Sequence, residues 1–242
     1  MRTYDKPDVN AFEVRDIGIP VRSVRWVRIF AGVDAQGQEC LYATMGQSAN
    51  LFVLQIDLST GKTAKFSSSV PNTHNPPAAI LTQDGHLYIG ATPGHLLCFD
   101  PAKGEMEDLG AINPPDTFPC RISEGPDGLL WIGCYGTASL TSYDPKTHTF
   151  TRYGRMDDVG TYCYPQVTPD GFVACVITVE KACVVVLDPK TGDRRTVGPV
   201  ITAEEWEEKK YVEISPDRSF PGCRWGVGEM PWGVSENGPV LI

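Results

Sequence analysis

Three side chains of this sequence are suited to moving a proton on a bound molecule: His74, Tyr162 and Tyr164. An imidazole titrates near neutral pH, and a phenol can act as an acid or a base once it is held against a substrate. His74 lies in a turn-rich segment, 72–77, that precedes a small apolar run. These residues are the predicted catalytic candidates. The competing interpretation is an ordinary loop histidine and two packing tyrosines.

Arginine and tryptophan recur in comparable segments and predict a ligand-binding surface. A guanidinium binds a carboxylate through two parallel hydrogen bonds, and a flat ring stacks on a sugar face. Such a surface suits an anionic saccharide or another small acidic ligand. Alternatively, the tryptophans fill gaps between elements, and Arg25 and Arg121 pair with nearby carboxylates. The predicted ligand-binding residues are Arg25, Trp26, Arg121, Arg224 and Trp232.

The eight cysteines form no Cys-x-x-Cys pair, and no metal site is predicted from them. Buried free thiols that behave as small hydrophobic side chains are favoured over disulfides. The first residues, 1–7, are not followed by an apolar segment, so no secretory signal is visible. These features predict a reducing, cytoplasmic location, although a mature secreted chain would look the same.

A repeat positions the candidate residues. A turn-forming phrase begins at Asp57, Asp100, Asp144 and Asp188, so its first residue recurs after 43, 44 and 44 residues. Asp-Gly pairs at 84–85, 127–128 and 170–171 give a second signal with a spacing of 43 residues. A period of this length indicates a repeat architecture in which each unit is one supersecondary structure.

Each repeat contains four short strand-like runs separated by hairpin turns. In the second repeat these runs are 78–82, 86–90, 95–99 and 105–109. Glycine supplies the left-handed backbone of a tight turn, and proline fixes φ at its first position. Four antiparallel strands per repeat, arranged radially, predict an all-β fold, the β-propeller. The loops that lead into the innermost strands then converge on one mouth of a central channel, which is the expected ligand site.

The predicted organisation is a single propeller domain over 1–242, with four full blades and partial blades at both ends. We expect it to be part of a larger ring, because an open radial sheet leaves unpaired edges; the alternative is a small ring closed by the two incomplete ends. The predicted units are a lone outer strand at 12–18, blades at 20–66, 70–110, 114–154 and 160–198, an insertion with a short helix at 199–226, and the start of a further blade at 227–242.

The net charge of -9 disfavours nucleic acid as a partner, because a phosphate backbone rewards a concentrated basic surface and the chain has no run of Lys and Arg. No apolar run is long enough to cross a bilayer, so no membrane span is predicted. A small molecule or saccharide is the expected ligand, and a protein partner is kept as an alternative.

Two short motifs carry a resemblance to known propellers: Asp-Gly-Leu-Leu-Trp-Ile-Gly at 127–133 and Tyr-Asp-Pro-Lys-Thr at 143–147. They resemble the blades of streptogramin (virginiamycin B) lyase-like propellers and of the wider quinoprotein and YVTN-type group. The resemblance implies a seven-bladed ring, a bound Mg²⁺ and a catalytic histidine near a carboxylate. That histidine and that metal site are carried late in those chains, and the resemblance places neither on a residue of this sequence.

Two functions follow from the sequence. In the first, the protein is a C–O lyase that acts on an ester or a uronic-acid-containing saccharide, with His74 or a tyrosine as the base. Arg25 and Arg121 would hold the acidic group whose α-proton is removed. In the second, it is a non-catalytic propeller that binds a ligand or a protein. Fold alone does not choose between them.

Overall fold

The computed structural model describes residues 25–47, 50–116, 118–202, 232–235 and 238–241. The strands up to Thr202 form four consecutive up-and-down antiparallel units of four strands each. This is the blade pattern of a β-propeller, as the repeat predicts. The third and fourth units are joined into one eight-stranded sheet by the pairing of Tyr135 with Tyr162. Among the described residues there is no helix with the length and apolar character needed to cross a bilayer.

The strand bounds follow the predicted runs within a few residues, and each blade starts with its innermost strand. Blade 1 consists of β1 Arg25–Val33, β2 Glu39–Gln47, β3 Asn50–Asp57 and β4 Thr63–Ser67; blade 2 of β5 Ala78–Leu81, β6 Leu87–Ala91, β7 His95–Asp100 and β8 Glu105–Ala111; blade 3 of β9 Phe118–Glu124, β10 Leu130–Tyr135, β11 Ser139–Asp144 and β12 Thr149–Arg155; and blade 4 of β13 Tyr162–Val167, β14 Val173–Thr178, β15 Lys181–Leu187 and β16 Arg194–Thr202. A further hairpin joins β17 Trp232–Ser235 to β18 Gly238–Leu241.

The repeated turn phrase closes the outer hairpin of each blade by one mechanism. In blade 2 the Asp100 carboxylate accepts the backbone amides of Ala102 and Lys103, at 2.9 and 3.3 Å. The same position in blades 1, 3 and 4 is Asp57, Asp144 or Asp188, and each accepts the amide two residues later. An aspartate that accepts its own turn amides stabilises a tight reversal. The recurring aspartate therefore has a structural role.

Hydrophobic cores lie between the blades, because each sheet packs its face on the next. The blade 2 and blade 3 sheets meet through Tyr88 and Tyr143, whose ring centroids are 6.3 Å apart. The residues that define the three boundaries are Tyr42, Leu51, Leu97 and Phe99 for blades 1 and 2; Tyr88, Leu96, Leu130 and Ile132 for blades 2 and 3; and Trp131, Leu140, Cys163 and Leu187 for blades 3 and 4.

Several predicted units fall wholly or partly outside the described residues. The lone outer strand at 12–18 and the short helix within 199–226 lie outside them. Strand β16 continues to Thr202, four residues into the range predicted as an insertion. Trp232 begins β17, and the predicted further blade is described as the β17–β18 hairpin alone. The seven cysteines within the described ranges are free thiols, and six of them are buried.

Candidate functional site

The innermost strands β1, β5, β9 and β13 lie side by side, and all four run in the same direction from the mouth. The mouth is defined here as the end at which these strands begin. Hydrogen bonds join β9 to β13 directly. The Cys120 thiol donates to the carbonyl oxygen of Cys163 at 3.1 Å, and Ser123 Oγ donates to the carbonyl oxygen of Pro165 at 2.7 Å. The sequence places small residues at these contacts, so neighbouring blades approach closely at the centre.

Two arginines on innermost strands bridge between blades. The Arg28 guanidinium on β1 donates to the carbonyl of Pro77, just before β5, at 2.9 Å. The Arg121 guanidinium on β9 donates to the side-chain oxygen of Gln166 on β13, with Nε at 3.0 Å, in the amide orientation that satisfies both groups. Guanidinium groups therefore span the first and third blade boundaries near the channel.

Burial gives this arginine pair an unusual electrostatic setting. Both side chains are half-buried, and desolvation lowers the pKa of Arg28 and of Arg121. The positive charge of Arg121 lowers the pKa of Arg28 further. Since a guanidinium stays charged at any ordinary pH, the pair concentrates positive potential on an otherwise acidic protein.

Four aromatic rings form a continuous ladder at the mouth of blades 3 and 4. Phe118 meets Tyr135 edge to face, with ring centroids 6.0 Å apart, and Tyr135 contacts Tyr162 at 4.4 Å. Tyr162 and Tyr164 are stacked at 5.6 Å with an interplanar angle of 3°. Tyr135 is 44% exposed, so a ligand can reach the ladder from solvent. Exposed, rigidly held rings of this kind suit stacking against a sugar or another flat molecule.

Tyr162 and Tyr164 are held in the protonated form. Burial raises the pKa of Tyr162, and burial together with the nearby Cys120 thiol and Tyr162 raises the pKa of Tyr164. The positive charge of Arg121, on the neighbouring strand β9, opposes the rise in the pKa of Tyr164. At neutral pH both phenols are hydrogen-bond donors. They are better suited to giving a proton than to taking one.

A buried carboxylate joins the two segments that carry Phe118 and Tyr135. Asp116 precedes Phe118 in the chain and is 8% exposed. Its Oδ2 accepts hydrogen bonds from Asn113 Nδ2 at 2.9 Å, Thr137 Oγ1 at 2.7 Å and Ser139 Oγ at 2.5 Å. Because Thr137 lies two residues after Tyr135, this carboxylate ties the start of β9 to the end of β10.

His74 has a different setting from the tyrosines. Its Nδ1 lies 2.7 Å from the carbonyl oxygen of Asn72 in the same loop. A carbonyl can only accept, so Nδ1 carries the hydrogen and Nε2 is left as the basic nitrogen. The loop packs against the end of β2, where a Cβ in place of Gly46 hydrogen would overlap the His74 carbonyl. His74 thus belongs to the boundary of blades 1 and 2, whereas Tyr162 and Tyr164 belong to blade 4.

The structure accounts for the other predicted ligand residues to different extents. Arg121 lies on the innermost strand β9, and its role in binding a ligand stays a prediction. Arg25 and Trp26 begin β1 and Trp232 begins β17, with their side chains outside the described parts, and Arg224 lies outside the described residues altogether. Arg28, Tyr135 and Gln166 were not predicted from the sequence. For Arg28 the sequence does contain an indication, because it follows the predicted residues Arg25 and Trp26 in the same segment.

The resemblance to streptogramin lyases implies Mg²⁺, and the described residues can be tested for such a site. Within 25–202, apart from the masked positions 48–49 and 117, and in the β17–β18 hairpin, no group of three or more His, Cys, Asp or Glu side chains is arranged to hold a metal ion. The described residues therefore do not fit the implied metal.

Solved structures with similar folds include two streptogramin-type lyases and the extracellular domain of a two component system. A streptogramin B lyase aligns with a TM-score of 0.53 and 13% identity, over 72% of this chain and 59% of that one. A catalytically inactive virginiamycin B lyase from Staphylococcus aureus with quinupristin aligns at 0.56 and 12% identity, over 89% and 70%. The chain has a streptogramin-lyase-like β-propeller fold.

A third similar structure is described as the extracellular domain of a hybrid two component system from B. thetaiotaomicron, with a TM-score of 0.50 and 19% identity, over 64% of this chain and 20% of that one. The propeller chain spans 59% of the length of the streptogramin B lyase that it resembles. No family model matches its sequence, and no curated protein matches it. At these identities the similarity concerns the fold, so the function has to be argued from the site.

Proposed function

We propose that this propeller binds a small carboxylate ligand, of the uronic-acid saccharide class, at the mouth of its channel. One observation carries the proposal: the half-buried guanidinium of Arg121 on β9 and the stacked rings of Tyr162 and Tyr164 on β13 lie on adjacent innermost strands. Arg28 on β1 adds a second half-buried guanidinium among the innermost strands. The arginines supply charge for the carboxylate, and the rings supply a flat apolar face for the sugar.

Calorimetry with a matched pair of ligands tests this function. The probes are a uronic-acid disaccharide and its neutral, carboxyl-reduced counterpart. We expect the acidic sugar to bind and the neutral one to bind at least about tenfold more weakly, since a charge-assisted hydrogen bond contributes about 1.5–3 kcal/mol. Arg121→Gln should weaken binding of the acidic sugar by a similar factor.

Arg195→Gln is the matched control, because it removes the same charge from an exposed position on the outer strand β16. This variant should bind the acidic sugar as the parent protein does. Equal affinity for the two sugars, or equal losses from the two arginine variants, would contradict the proposal.

A second function, a C–O lyase acting at the same site, is favoured by one observation. Burial keeps the Tyr164 phenol protonated, and the positive charge of the neighbouring strand's Arg121 acts to lower its pKa. In an elimination, a base removes the α-proton next to the carboxylate, a C=C bond forms and the C–O bond breaks, and the leaving oxygen takes a proton. Here the arginines would stabilise the enolate, Tyr162 or Tyr164 would protonate the leaving oxygen, and His74 Nε2 is the candidate base.

The elimination creates a conjugated double bond, so ultraviolet absorbance during incubation with a polyuronate tests the lyase function directly. We expect Tyr164→Phe to lower kcat by about a hundredfold if the phenol is the acid. His74→Ala should lower kcat while leaving the affinity for the sugar unchanged. If the sugar binds but no new absorbance develops, the lyase function is contradicted and the ligand-binding function is retained.

A further inference from the structure

A cavity of about 290 Å³ lies between blades 2 and 3, away from the mouth. From blade 2 it is bordered by Asp84, in the turn after β5, and by Asp100, the last residue of β7; from blade 3 it is bordered by Tyr143 and His148. Because β5 begins at the mouth and ends near Asp84, the cavity opens on the opposite face of the propeller. Its volume is close to the lower limit of about 300 Å³ for small-molecule sites.

The charged side chains that line this cavity are mostly carboxylates. Asp84, Asp100, Glu105 and Glu107 face a single lysine, Lys103, whose ammonium lies 2.9 Å from Asp100. Lys103 is largely exposed on its turn, with 69% of its side chain accessible. Four carboxylates against one ammonium give the cavity an excess of negative charge.

Two aromatic rings and a histidine form the inner wall. Tyr88 is 5% exposed and Tyr143 is 1% exposed, with their ring centroids 6.3 Å apart. The Tyr143 hydroxyl lies 3.1 Å from His148 Nδ1. The wall therefore offers an apolar surface against which the carbon chain of a ligand can pack.

His86 lies between two of these carboxylates. Its Nδ1 is 3.2 Å from Asp84 Oδ2 and its Nε2 is 3.9 Å from Asp100 Oδ2. Because a carboxylate oxygen only accepts, the ring nitrogen that faces Asp84 carries the hydrogen. The acceptors that this cavity offers to a ligand are therefore its carboxylates.

We propose that this cavity is a binding site for a small organic cation, a primary amine or guanidinium compound of about four to six heavy atoms in its chain. The carboxylates accept its N–H groups, and the inner wall that Tyr88 and Tyr143 border lies against its carbon chain. The site is separate from the mouth, so it does not depend on the function proposed there.

Calorimetry at physiological ionic strength tests the site, with putrescine as the probe and the neutral diol of the same carbon length as its control. We expect one putrescine to bind per chain and the diol to give no binding heat. Glu107→Gln should weaken putrescine about fivefold, and the double variant Glu105→Gln, Glu107→Gln at least about tenfold. Both glutamates are exposed on β8, so these variants keep the core intact.

Glu180→Gln is the matched control, because it removes one negative charge from an exposed position in blade 4. Its affinity for putrescine should equal that of the parent protein. If the diol binds as well as putrescine, the site does not recognise a cation. If Glu180→Gln weakens binding as much as Glu107→Gln, the interaction is general attraction to an acidic surface, and the proposal is wrong.

Discussion

Asp116 shows how one residue can organise the mouth without touching a ligand. Its carboxylate is the shared acceptor for Asn113, Thr137 and Ser139. Those bonds hold the chain on either side of the contact between Phe118 and Tyr135. The ladder is therefore presented to solvent by a buried hydrogen-bond network, which limits the conformational entropy that a bound ligand would have to remove.

Replacing Asp116 with alanine should lower the free energy of unfolding by about 2–4 kcal/mol, because three donors would lose their buried acceptor. Urea unfolding measures this change. Asp127→Ala is the control: Asp127 is exposed and accepts one bond, from the Leu129 amide at 3.1 Å, so its loss should be about 1 kcal/mol or less. Equal losses in the two variants would show that the network around Asp116 contributes little.

At the residue scale, the sequence could predict candidate residues but not the contacts between them. Arg121, Tyr162 and Tyr164 were predicted at the mouth, and the structure places them on adjacent innermost strands. Gln166 was missed because its partner Arg121 lies 45 positions earlier in the chain, on the neighbouring blade. A repeat pattern fixes what is equivalent between blades, but it does not fix which side chains meet across them.

At the scale of the element, the β10 strand depends on one glycine. A Cβ at Gly133 would overlap the carbonyl oxygen of Cys163 on β13. The backbones of blades 3 and 4 approach so closely here that any side chain would force them apart. Since Cys163 lies between Tyr162 and Tyr164, this approach also sets the position of the stacked rings.

Gly133→Ala should therefore destabilise the fold by about 3 kcal/mol, at the upper end of overpacking costs. It should also weaken acidic-sugar binding, because β13 would shift. Gly32→Ala provides the comparison, since its Cβ would lie 3.2 Å from the Tyr42 ring and 3.5 Å from Leu81, contacts that side-chain adjustment can relieve. Thermal unfolding and calorimetry measure both effects; similar behaviour of the two variants would refute the role given to Gly133.

The hairpin turns make a separate, pH-dependent contribution. Hydrogen bonds from Ser59 and Thr60 lower the pKa of Asp57 from 3.8 to about 2. A carboxylate whose pKa is lower in the folded state stabilises the fold above its unfolded pKa, and that stabilisation disappears as the pH falls toward the folded value. The relevant window for this turn thus lies between 3.8 and about 2.

Asp57→Asn removes the titrating group while keeping a side-chain acceptor. In urea unfolding followed across that window, the variant should lose less stability on acidification than the parent protein does. Above the window the parent should be the more stable of the two. Parallel pH profiles for the two proteins would show that Asp57 titrates alike in the folded and unfolded chains.

The turns and strands were largely predictable because their causes are local. Asp100 and Gly104 act within five residues of each other, and Gly104 has the positive φ of 69° that the turn requires. His148 takes the same left-handed position in blade 3, with φ of 55°, where the other blades have glycine. The phrase was still recognisable there because the aspartate and proline that start it are retained.

At the scale of the whole molecule, stability resides between the blades. Leu130 is fully buried in the core that joins blades 2 and 3, together with Leu96 and Tyr88. A propeller of this kind is stabilised by nearest-neighbour interfaces, as other repeat proteins are. A defect on one sheet should consequently be felt on the sheet that packs against it.

Leu130→Ala should cost about 2–5 kcal/mol in unfolding free energy. Hydrogen exchange should accelerate in β6 and β7 of blade 2 as well as in β10 of blade 3. Val33→Ala, at a position that is 54% exposed, is the control and should change stability by no more than about 0.5 kcal/mol. Faster exchange confined to blade 3 would show that the blades are independent units.

Arg121 connects two blades and is also the residue proposed to bind the carboxylate: its guanidinium joins β9 to β13 through Gln166. A ligand carboxylate that binds the Arg121 guanidinium would replace its hydrogen bonds to Gln166 and would itself contact β9. Ligand binding at the mouth would then change how freely β9 and β13 move relative to each other. A sugar arriving at the centre could in this way be sensed at the rim.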